Sequence, residues 1–97
     1  MHGNTAINRN KRIVAAARRV AGVCETLARH GVTILLITTD REAPVIRVRN
    51  DRCLKRLNAR KRLNARPLPE DGRRAGFEAS YHGCRIVWYR LLHQPQP

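Results

Sequence analysis

The sequence predicts an α+β domain in which one amphipathic N-terminal helix packs on an antiparallel sheet of two β-hairpins, with a short, basic, partly helical crossover between them. Three observations carry this. Apolar residues recur at helical spacing from about Asn10 to His30. Two β-branched runs, 33–39 and 45–49, flank the polar turn Asp40-Arg41-Glu42-Ala43-Pro44. Two more alternating runs, 77–81 and 84–89, flank His82-Gly83. The 97 residues suit one domain with a small core. The expected organisation is a flexible N-terminus over 1–9, a single domain over 10–92 with its basic crossover at 52–74, and a flexible tail over 93–97.

In the helix, Ile13, Ala17, Val20, Cys24 and Leu27 form the apolar stripe, flanked by Ala16 and Val23. Lys11, Arg12, Arg18, Arg19 and Arg29 lie largely off it. His30-Gly31 supplies the stop, because glycine enters the left-handed conformation without a steric penalty. Thr33–Thr39 is apolar on both faces and reads as a central strand. In Val45–Arg49, Ile46 and Val48 share one face and Arg47 and Arg49 the other. Asn50 or Asp51 caps a short helix whose buried side is Cys53, Leu54 and Leu57. A two-residue turn at His82-Gly83 sets Tyr81 against Cys84, Ala79 against Ile86 and Phe77 against Trp88 on the core face. Glu78, Ser80, Arg85, Val87 and Tyr89 then take the other face.

Charge is the strongest functional signal. Lys and Arg number 20 against 7 acids, a net charge of +13. Within residues 52–66 the hexapeptide KRLNAR occurs twice in succession. That stretch concentrates Arg52, Lys55, Arg56, Arg60, Lys61, Arg62 and Arg66 with no acid among them; Arg73 and Arg74 extend it. Such a density of cations repels itself unless an anion is close. The anion is nucleic-acid phosphate or the surface of an acidic protein or nucleoprotein. The competing reading is a solvated loop enriched in arginine by codon bias, since Arg outnumbers Lys 17 to 3. Six residues rotate a helix by about −120° relative to whole turns, so Leu57 and Leu63 point in different directions on a continuous helix. The second copy is therefore expected on the surface and dispensable for folding.

A second candidate surface is the outer face of the last hairpin. Tyr89 and Arg85, joined by Arg47 and Arg49 if the hairpins share a sheet, set an aromatic among arginines, the pairing used to hold single strands by base stacking and backbone contact. Tyr89 as a simple sheet-packing residue is the plainer reading. No helix-turn-helix is evident, although Asn58 and Asn64 are residue types that read base edges.

Other chemistry finds little footing. Cys24, Cys53 and Cys84 form no CxxC pair and, with His30 and His82, no metal-ligand spacing, so neither a metal nor another cofactor is expected. An odd cysteine count is no disulfide framework and points to a reducing, cytoplasmic setting. The seven acids are scattered and no glycine-rich phosphate loop occurs, so neither an enzyme nor a small-molecule substrate is expected. No signal peptide is recognisable. Apolar runs such as Ile34–Ile37 are far short of the ~20 residues of a membrane span. The basic segment also lacks the aligned apolar anchors of a membrane-surface helix, so no membrane partner is expected.

Two stretches, RHGVTILLITTDREAPVIRVRNDRCLKRL (29–57) and FEASYHGCRIVWYR (77–90), resemble small basic orphan proteins of temperate phages and prophages of GC-rich proteobacteria. The resemblance rests on structural motifs and covers about two thirds of the chain. It implies a bacterial host cytoplasm and a phage-encoded role. The leading expectation is a non-enzymatic nucleic-acid-binding protein that contacts mainly the phosphate backbone. The alternative is a phage-encoded inhibitor that binds a host or defence factor such as a CRISPR effector.

Overall fold

A computed structural model of the chain describes residues 2–39, 43–61, 63–69 and 74–91. Helix α1 (His2–Arg29) leads into β1 (Ile34–Thr38) and β2 (Val45–Val48). Helix α2 (Arg52–Lys61) and the short β3 (Arg66–Pro67) form the crossover, and β4 (Arg74–Tyr81) and β5 (Cys84–Leu91) complete the chain. This is the α+β layout the sequence predicts. The five strands lie in the order β1-β2-β5-β4-β3. The two hairpins join through β2 and β5, which run parallel with Ile46 beside Ile86, so the sheet is mixed rather than wholly antiparallel. Both isoleucines are fully buried, and that shared burial favours the join. The long route through α2, β3 and β4 gives the chain room to bring β5 back in the same direction.

The terminal hairpin has the predicted register: Tyr81 opposes Cys84, Ala79 opposes Ile86 and Phe77 opposes Trp88. His82 and Gly83 both have positive φ (47° and 80°), as a two-residue turn matched to strand twist requires. The rings of Phe77 and Trp88 stack with centroids 6.1 Å apart. Helix α1 ends as its sequence predicts. Gly31 takes φ 76°, its N–H donates to the Ala28 carbonyl at 3.0 Å, and the Val32 N–H donates to the Leu27 carbonyl at 2.9 Å. Leu27 and Val32 are both buried, completing the hydrophobic contact that accompanies this cap. At α2, Asp51 is the N-cap: its Oδ1 accepts the Leu54 N–H at 3.1 Å. Leu54 and Leu57 are buried and Cys53 packs beside them, as expected.

Four expectations are corrected. Helix α1 starts at His2 rather than near Asn10, so the stretch expected to be loose is helical from there. Apolar periodicity reports burial, and residues 5–15 are helical but exposed. For the same reason the stripe is covered only in part. Val20, Val23 and Leu27 are buried, whereas Ile13 is 56% exposed and Ala17 is exposed, because the helix runs on past the sheet. Strand β1 lies at a sheet edge and is not central; Leu35, Leu36 and Ile37 are 47%, 57% and 42% exposed. Lastly, Leu63 is not a surface residue: it is 4% exposed and belongs to the core cluster with Leu54, Leu57 and Trp88. The helix stops at Lys61 and Asn64 takes φ 56°, so helical rotation does not govern where Leu63 points. The turn at 40–42 and the tail at 93–97 lie outside the described residues.

Candidate nucleic-acid interface

Helix α1 covers one face of the sheet and leaves the other open. Along β5 the pleat sends Arg85, Val87 and Tyr89 to the open face, while Cys84, Ile86 and Trp88 face the core. The parallel pairing sets Arg47 beside Val87, one diagonal step from Tyr89. The antiparallel pairing sets Gly76 opposite Tyr89 and Arg74 one step further along β4. The guanidinium carbon of Arg74 lies 3.9 Å from the Tyr89 ring centroid and that of Arg47 lies 4.8 Å from it. Cation–π attraction at such distances holds both side chains against the ring. Gly76 makes room for this arrangement, because a Cβ there would meet Tyr89 Cε1 at 2.9 Å and Leu68 Cδ1 at 3.1 Å.

Two grooves meet at Arg47 and Tyr89. The first, of ≈ 320 Å³, runs across the open face between Leu36, Thr38 and Val45 on one side and Leu68, Arg85 and Val87 on the other. The second, of ≈ 490 Å³, lies where β2, β5 and the start of α2 converge. It gathers Arg47, Arg49, Lys55 and Arg90 with Asn50 and Tyr89, and among the described residues no acid lines it. The Asn50 side chain donates to the Tyr89 carbonyl at 3.3 Å, tying the entry of α2 to β5. Beyond the groove, Arg52, Arg56, Arg60 and Lys61 are exposed along α2, Arg52 and Arg56 on the side opposite Leu54 and Leu57.

The structure therefore brings together Arg47, Arg49, Lys55, Arg74 and Tyr89 from the set the sequence singles out. It leaves Arg52, Arg56, Arg60 and Lys61 as an exposed extension along α2. Arg66 sits apart, on the opposite edge strand β3, where its Nη2 lies 3.5 Å from Glu78 Oε1; Arg85 pairs with the other oxygen of the same carboxylate. Arg62 and Arg73 lie outside the described residues. Arg90, Gly76 and Leu68 are additions. Extending the predicted hairpin register by one residue beyond Phe77 and Trp88 would have placed Gly76 opposite Tyr89. Arg90 carried no such signal, because strict alternation assigns it to the core face of Trp88. At the strand's end no core remains to receive it.

The surface is basic. Of the described acids, Asp51 caps α2, Glu78 holds Arg66 and Arg85, and Glu25 is exposed on α1. Among the described residues no three His, Cys, Asp or Glu side chains converge on a point, and no helix is long and apolar enough to cross a membrane. Burial pushes the Cys84 thiol above its ordinary pKa, with the Arg19 charge opposing the shift and Cys24 adding to it. Burial raises Cys24 as well. Neither thiol is therefore activated as a nucleophile. No protein-family model, curated protein or solved structure matches this chain.

Proposed function

We propose that this protein binds nucleic acid without catalysis, gripping the phosphate backbone in the groove at the junction of β2, β5 and α2. The observation that carries the reading is that groove: Arg47, Arg49, Lys55 and Arg90 surround it, no acid among the described residues lines it, and it opens onto the basic side of α2. Phosphates entering it meet convergent cations, and arginine adds paired donors of fixed geometry. The neighbouring sheet face suits a single strand, whose backbone follows a shallow track while its bases lie over the Arg47–Tyr89–Arg74 cluster. Four phosphate contacts give log K a slope against log salt of about −3 on single strands and about −4 on duplex DNA.

The test is the triple variant Arg49→Ser, Lys55→Ser, Arg90→Ser, assayed by fluorescence anisotropy over a salt series. All three side chains are exposed, so the fold should survive. Losing three contacts removes about 2 units of slope on a single strand. An unchanged slope in a folded variant would remove the groove from the binding site. The rival reading, a phage-encoded inhibitor of a host or defence factor, employs the same cations on an acidic surface. It is the outcome if protein partners persist in affinity capture after nuclease treatment and nucleic-acid binding is not detected.

A further inference from the structure

We propose that the free edge of β1 joins a second copy of this chain, edge to edge, fusing two five-stranded sheets into one. Natural sheets guard an exposed edge with Lys, Pro, an inward charge or a bulge. Residues 31–39 contain no Lys, Pro or charge, in a chain where charged residues make up 28%, and the bulge at Leu35 leaves 36–38 regular. Leu35, Leu36 and Ile37 instead stand half exposed along the edge. A bulge between Ile34 and Leu36 interrupts the strand at Leu35, but Leu36, Ile37 and Thr38 pair with β2 in regular register and have backbone suited to a further strand.

Three features select a second copy over another partner. An acidic protein would gain its affinity from the arginines, and the edge itself carries none. Antiparallel pairing of β1 with itself is self-complementary. Centred on Ile37, within the regular part of the strand, it sets Ile37 against Ile37 of the second copy and Leu36 against Thr38 of the second copy, with no charged residue at the contact. The two-fold axis of such a pair stands perpendicular to the sheet, so both open faces lie on the same side. Leu36 and Thr38 already wall the groove that runs to this edge. Joining the edges therefore sets both Arg47–Tyr89 clusters on one continuous surface.

The interface has its own electrostatic signature. Each copy carries +13, so the copies repel, while the contact is uncharged. Salt screens the repulsion, the Debye length falling from about 10 Å at 0.1 M to about 3 Å at 1 M. Self-association therefore strengthens with salt, the opposite of nucleic-acid binding, and the two readings fail independently.

The experiment is analytical ultracentrifugation of nuclease-treated protein at low and high salt, up to about 100 μM, since weaker association would not count as a specific interface. The expected result is a monomer–dimer equilibrium whose Kd falls several-fold as salt rises. Leu36→Lys, at a 57% exposed position, should raise Kd at least tenfold and leave the thermal melt intact. Ile13→Lys, on the exposed part of α1, should leave Kd unchanged. A monomer at every concentration and salt would overturn the proposal. So would a dimer that survives Leu36→Lys, or one that Ile13→Lys dissolves, which would move the contact to the helix.

Discussion

Removing the leucine of the second KRLNAR copy tests how the crossover is built. Leu63 is 4% exposed and packs with Leu54, Leu57 and Trp88. Truncating a buried leucine to alanine loses its transfer free energy and leaves a cavity, together about 2–5 kcal/mol. A domain of this size is stable by roughly 5–15 kcal/mol, so Leu63→Ala removes a large share. At about 4–8 °C per kcal/mol, the melting temperature should drop by at least ~8 °C. The single tryptophan, Trp88, lies in the same cluster and reports unfolding by fluorescence in a urea titration. Deleting Lys61–Arg66 should cost as much or more, because one remaining KRLNAR leaves a single leucine for the two core positions of Leu57 and Leu63. A change in Leu63→Ala below ~0.5 kcal/mol, the scale of ordinary surface substitutions, would refute the reasoning and return the second copy to the surface.

Two further outcomes are expected. Gly76→Ala drives a methyl group into Tyr89 and Leu68, so the folded variant should bind a single-stranded oligonucleotide about five- to tenfold more weakly, a loss of roughly 1 kcal/mol against the 1–3 of a stacked base; unaltered affinity in anisotropy would remove the Tyr89 cluster from the interface. The raised pKa of Cys84 stabilises the fold while the thiol is neutral in both states. That contribution is fully present below the unfolded thiol's pKa of about 8.5 and is lost as pH rises toward the folded value, so urea midpoints should fall above about pH 8.5. A flat midpoint between about pH 8 and 10 would count against the burial of that thiol.

Much of the fold was legible because its signals are local. The His30-Gly31 stop, the Asp51 cap and the His82-Gly83 turn each depend on a few neighbouring residues, and the turn fixes the whole β4–β5 register through the two-residue period of a strand. Charge was legible too, since composition alone gives the excess of 20 cations over 7 acids. The candidate site was legible by residue type at Arg47, Arg49, Lys55, Arg74 and Tyr89, but not as a place.

Only the tertiary structure decided which of these residues meet. The parallel pairing of β2 with β5 is a contact between distant segments, and it alone carries Arg47 to Tyr89 and sets Arg49 and Lys55 beside Arg90. The same pairing sends β1 to the edge, although its sequence is as apolar as a central strand's. Leu63 shows the limit most plainly. Its hexapeptide is identical to one whose leucine faces the core from a helix, yet it reaches that core from the irregular segment between α2 and β3, because burial depends on the path of the whole chain and not on the residues next in line.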